Sequence, residues 1–64
     1  MLFAIRIRYL YRDGTSHVSS VKYLDVNYAG EMARRGLCAR SDTVAATVFM
    51  DGTEEVFQTI VARA

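Results

Sequence analysis

Phe3-Ala4-Ile5-Arg6-Ile7-Arg8-Tyr9-Leu10-Tyr11-Arg12-Asp13-Gly14 is the stretch on which the reading of this chain turns. From Phe3 to Tyr11 apolar and polar side chains alternate with a period of two. β-Branched and aromatic residues dominate, which suits a pleated surface buried on one side. Phe3, Ile5, Ile7, Tyr9 and Tyr11 fall on one face, and Ala4, Arg6, Arg8, Leu10 and Arg12 on the other. Asp13-Gly14 then turns the chain, because glycine takes a positive φ without steric cost. The return strand is expected over Thr15 to Leu24. A two-residue loop sets Ile5 opposite Lys22. A three-residue loop, Arg12-Asp13-Gly14, sets Ile5 opposite Val21, Phe3 opposite Tyr23 and Tyr9 opposite His17. The second keeps apolar against apolar and is preferred.

The turn signal recurs at Asp51-Gly52, where Met50-Asp51-Gly52-Thr53 echoes Arg12-Asp13-Gly14-Thr15 at an offset of 38 residues. Convergent turn chemistry accounts for an echo this short better than duplication does. The second hairpin is expected from Thr43 to Met50 and from Glu55 to Val61. Between the hairpins the spacing predicts a helix. Asp25 or Asn27 supplies the N-cap, and Ala29, Met32 and Ala33 form the apolar stripe with Tyr28 at its edge. Glu31 precedes Arg34 and Arg35 at ion-pairing distance along a helix. Gly36 reads as the glycine that ends it, leaving Leu37 to Asp42 as a connector. A helix of about ten residues does not stand alone and must lie on the sheet. The expected fold is therefore α+β, a ββαββ chain forming one domain over residues 1–64. Its four-stranded, mainly antiparallel sheet carries the helix on one face.

With 64 residues the chain has room for one domain, and a domain of this size buries only about 60% of the surface its unfolded chain exposes. One cysteine and one histidine exclude an internal disulfide and an ordinary zinc cage, and a hydrophobic content of 52% argues against a disordered tail. The apolar run that starts at Met1 stops at Arg6, too short for a signal-peptide core. No stretch approaches the roughly 20 apolar residues of a membrane helix. The lone thiol, Cys38, suits a reducing compartment. A cytoplasmic protein with no membrane attachment is expected.

The net charge of +1 hides a polarity. Residues 1–24 carry Arg6, Arg8, Arg12 and Lys22 against Asp13, a net +3; residues 41–64 carry Arg63 against Asp42, Asp51, Glu54 and Glu55, a net −3. The middle, with Arg34, Arg35 and Arg40 against Asp25 and Glu31, stands at +1. Such a dipolar surface can orient a partner or a second copy.

No residue set points to catalysis. His17 and Ser19 share a strand face, but no third group orients the histidine and no paired donors mark an oxyanion site. Cys38, near Arg35 and Arg40, reads as a small buried hydrophobe rather than a reactive thiol. Asp13, Asp25, Asp42 and Asp51 fall in turns or caps, and Glu54 and Glu55 are adjacent and so point to opposite strand faces. No cofactor, metal or small-molecule substrate is expected. The functional signals are two. Arg6, Arg8 and Arg12, joined by Lys22 on the return strand, form a cationic patch suited to phosphates or an acidic protein. The short Ala/Met helix cannot cover both sheet faces, so Phe49, with Phe57 and Val61, is expected to form an uncovered apolar patch for self-association.

In size and layout the chain resembles the small orphan proteins of bacteriophages and prophages. The features that carry this are a strand, the Arg12-Asp13-Gly14-Thr15 turn, a return strand, one short helix and a hairpin turning at Asp51-Gly52. That grouping includes anti-CRISPR and host-takeover proteins, and the resemblance implies a binding inhibitor. The expectation is a non-enzymatic binding protein, homodimeric, that modulates a protein partner by occlusion. The alternative is a nucleic-acid-binding module built on the basic first hairpin.

Overall fold

The structure is a computed structural model, and it describes residues 4–53 and 55–62. Strand β1 spans Ile5–Tyr11, β2 Ser16–Val18, helix α1 Val26–Ala39, β3 Thr43–Met50 and β4 Val56–Val61. The strands form one sheet in the order β2-β1-β3-β4, with every neighbouring pair antiparallel. This is the expected ββαββ layout, with β1 and β3 at the centre.

The alternation in β1 sets the two faces. Ile5 and Ile7 are buried and pair with Met50 and Val48 of β3, while Tyr9 pairs with Ala46. Helix α1 covers this side. Its Ala29 and Ala33 join Ile5, Ile7, Ala46 and Val48 in the buried cluster, and Tyr9, Tyr23, Val26, Met32, Leu37, Phe57 and Ile60 pack around it. Asp25 is the N-cap: its Oδ1 accepts a hydrogen bond from the Asn27 N–H at 2.9 Å.

The first turn is the three-residue loop. Tyr11 N–H donates to the Thr15 carbonyl at 2.9 Å and Gly14 N–H to the Tyr11 carbonyl at 3.0 Å, with Gly14 at φ 91°. Tyr9 sits opposite His17, as expected. The return strand does not run on to Leu24, however. Ser19 Oγ accepts from the Val21 N–H at 3.1 Å, and this local turn pulls the chain out of the ladder. The chain rejoins at one bridge, with Ile5 and Tyr23 exchanging backbone hydrogen bonds of 2.8 Å each. Ile5 thus faces Tyr23 rather than Val21, and Val21 and Lys22 are left exposed. The expected Phe3–Tyr23 pairing lies outside the described residues.

The helix outruns its expected end. Gly36 lies inside α1, which continues to Ala39 and is capped by Arg40 in an extended conformation. Gly36 does not have the positive φ of a terminating glycine, which among the described residues belongs to Gly14 and Gly52 alone. Its role is close approach: a Cβ there would stand 2.6 Å from Cζ of Tyr9, so the bare backbone makes room for the ring. The Glu31–Arg35 ion pair forms, at 3.5 Å.

In the second hairpin a register shift falls between Val48 and Phe49. Phe49 pairs with Val56 and Val48 with Gln58, leaving Phe57 as the extra residue of a β-bulge. Phe57 packs against the buried cluster.

Candidate functional site

Helix and core lie on one side of the sheet, and among the described residues nothing covers the other. Because residues paired across antiparallel strands share a face, its rows can be traced from the register. One row runs Ser16, Leu10, Ala45, Val61; the next Val18, Arg8, Thr47, Thr59; the last Arg6, Phe49, Val56. The face therefore combines apolar and hydroxyl side chains with two arginines. Val61 is 70% exposed, Val56 53% and Leu10 41%.

The two arginines differ in their freedom. Arg6 is partly buried and meets Asp51, with Nε 3.2 Å from Oδ2, an ion pair whose alignment falls short of a hydrogen bond. The second turn is held in place by the same corner, since Asp51 N–H donates to the Ala4 carbonyl at 2.7 Å. Arg8 is exposed, and its guanidinium lies over the Phe49 ring, 5.0 Å from the centroid. Arg8, Thr47, Phe49, Thr53 and Val56 line a hollow of about 310 Å³. A cation laid on an aromatic ring at the mouth of a partly apolar hollow can receive a carboxylate beside an apolar side chain.

The expected cationic cluster is only half assembled. Arg6 and Arg8 share the face. Arg12 lies at the turn, its Nη2 donating to the Ser41 carbonyl at 3.3 Å, and Lys22 stands outside the strand ladder. The expected apolar patch is likewise revised. Phe49 and Val61 belong to the bare face, but the bulge gives the position opposite Phe49 to Val56, and Phe57 packs against the core. Leu10 and Val56 complete the patch. Leu10 was legible in the alternation of β1, whereas nothing in the residue types announced the bulge that places Val56.

A second hollow, of about 680 Å³, opens where the end of α1 meets the end of β4, lined among others by Arg34, Leu37, Cys38, Thr43 and Ile60. Cys38 is exposed there, not buried as expected, because it falls on the solvent side of the last helical turn. Thr43 is 4% exposed, and its Oγ1 has no hydrogen-bond partner among the described residues. Arg40 is spoken for: Nε and Nη2 donate to the two Asp42 carboxylate oxygens at 3.0 and 2.7 Å while the guanidinium stacks 4.1 Å from the Tyr11 centroid. The hydrogen bonds to Asp42 hold the Arg40 pKa above its ordinary value.

His17 is exposed opposite Tyr9, the Ser19 hydroxyl accepts from the Val21 N–H, and among the described residues no hydrogen bond joins the His17 and Ser19 side chains. Among the described residues no helix is long and apolar enough to cross a membrane. Comparisons with protein-family models, with curated proteins and with solved structures found no match to this chain.

Proposed function

We propose that the chain is a non-enzymatic binding protein of the phage-inhibitor type, which modulates a protein partner by occluding part of its surface. One observation carries this reading: helix and core occupy a single side of the sheet, leaving Leu10, Phe49, Val56 and Val61 exposed or half-exposed around Arg8. A surface of that kind, apolar with one accessible cation, fits a protein site with an apolar side chain flanked by carboxylates. The resemblance in layout to small phage-encoded inhibitors favours the same reading. The nucleic-acid alternative is weakened because Asp51 offsets Arg6 and Lys22 lies outside the ladder, leaving Arg8 as the accessible cation of the face.

Affinity capture from lysate of the source cell tests the reading. Wild-type protein should retain a protein component that Phe49→Asp loses and Arg8→Glu weakens, while Arg35→Ala on the far side of the helix keeps it. Identical capture by all four proteins would overturn it. Recovery of nucleic acid instead, with retention falling steeply as salt rises, would return the assignment to the cationic alternative.

A further inference from the structure

We infer that two copies of this chain join through β4, antiparallel edge to edge, into one continuous eight-stranded sheet. β4 is a terminal strand of the sheet order, so one side of its backbone has no partner among the described residues. Hydrogen bonding to β3 alternates along an antiparallel strand. Ala62 N–H donates to the Val44 carbonyl at 2.9 Å, which places the backbone groups of Thr59 and Val61 on the open side. Open edges are ordinarily guarded by charge, proline or extreme shortness. The opposite edge, β2, is three residues long. β4 has six residues, Val-Phe-Gln-Thr-Ile-Val, with no charge and no proline.

A second copy fits this edge for two reasons. A two-fold axis generates antiparallel pairing of a strand with itself, and Thr59 facing Thr59 of the second copy brings nearly the whole strand into register. The charges then match. Glu55 precedes β4 at one end, and Arg34 lines the hollow beside its other end. Antiparallel pairing carries each Glu55 to the Arg34 end of the other copy, twice per dimer. Neither side chain forms an ion pair among the described residues. Pairing the bare faces instead would bring the accessible Arg8 of each copy together, which like charge opposes. Six paired residues bury less than the roughly 800 Å² per partner of a stable complex, so the dimer is a weak one that forms as concentration rises.

Light scattering and sedimentation of the full chain from micromolar to millimolar concentration should show the 7.2 kDa monomer passing to a dimer. Thr59→Pro removes an outward N–H and no bond to β3, so it should keep the far-ultraviolet spectrum and lose the dimer. Should that variant fail to fold, the charges decide. Arg34→Glu and Glu55→Lys should each weaken dimerisation at least tenfold, and the double variant should restore it. With Cys38→Ser as background, Thr59→Cys should oxidise to a disulfide-linked dimer, since paired strand positions lie about 5.5 Å apart at Cα. Thr47→Cys at the centre of the bare face should not. A monomer at millimolar concentration, charge variants without effect, or crosslinking through Thr47→Cys alone would overturn the inference. The edge and the binding face fail separately: Arg34→Glu, on the helix, tests assembly with the face intact, and Phe49→Asp tests partner capture with the edge intact.

Discussion

A Cβ on Gly36 meets the Tyr9 ring at Cζ and Cε1, atoms that cannot swing aside, whereas a Cβ on Gly30 meets the Oε1 of Gln58, the end of a flexible chain. The same substitution should therefore have opposite signs on one helix. Gly30→Ala should gain up to about 1 kcal/mol from helix propensity. Gly36→Ala should lose about 1–3 kcal/mol to overpacking, and in a Tyr9→Leu background that loss should disappear. Urea denaturation of the wild type, the three single variants and the Tyr9→Leu/Gly36→Ala double variant reads both signs. Two titrating groups add pH limits. Thr15 donates to Asp13 Oδ1 from its hydroxyl at 2.6 Å and its N–H at 2.9 Å, and these bonds hold the Asp13 pKa below the ordinary 3.8. That contribution is present above 3.8 and is lost as pH falls through the lower folded value. Tyr9 is shifted upward, first by burial and then by the neighbouring Tyr23 and Tyr11, so its contribution is complete below 10.0 and is lost as pH rises through the folded value. Thermal midpoints should fall at both extremes, less at the acid end in Asp13→Ala and less at the alkaline end in Tyr9→Phe.

Among the elements, those with a strict period were legible in the chain. β1 and β3 were expected within two residues of where they lie, because alternation marks each as a strand; that the helix covers the face with Ile5, Ile7 and Val48 follows only from the pairing of β1 with β3. Asp25 was one of two expected caps, and its bond to the Asn27 N–H is worth keeping: Asp25→Ala should cost about 0.5–2 kcal/mol, read as a drop in thermal midpoint, with Asp25→Asn close to wild type. The element ends that went astray share a cause. Gly36 has the composition of a helix stop and becomes a packing residue only once Tyr9 is placed against it. Ser19 has the composition of a strand residue, yet its hydroxyl competes for the Val21 N–H. Phe57 follows strand alternation until an unpaired residue breaks the count. Each depends on a contact made by another part of the chain or on one side-chain hydrogen bond, neither of which a periodicity contains.

For the whole molecule, the expectation that one small helix leaves a sheet face bare was sound in kind and partly wrong in membership. Arg6, Arg8, Phe49 and Val61 follow from alternation alone; Lys22 and Phe57 do not, because each lies where the ladder departs from regularity. The two faces of β1 should respond to mutation quite differently. Ile7→Ala, at a fully buried site, should cost about 2–5 kcal/mol, whereas Leu10→Lys on the bare face should stay within about 0.5 kcal/mol. Comparable losses at both sites in chemical denaturation would mean that the face is not bare in solution.

The pairing of β1 with β3 sets the tempo of folding. Each hairpin closes over a few residues, but an isolated hairpin is marginal in water. The ladder that joins the halves, from Ile5–Met50 to Tyr11–Thr43, spans the sequence from near one end to near the other. Its two strands must find each other across the intervening helix before the core formed by Ile5, Ile7, Ala46 and Val48 is complete. Loop closure is therefore met early and repaid late, which makes this a slow folder for its length. While the encounter is pending, the uncharged Val56–Val61 segment is held only by a marginal local hairpin with β3. An uncharged strand edge exposed in that state is where aggregation during folding would start.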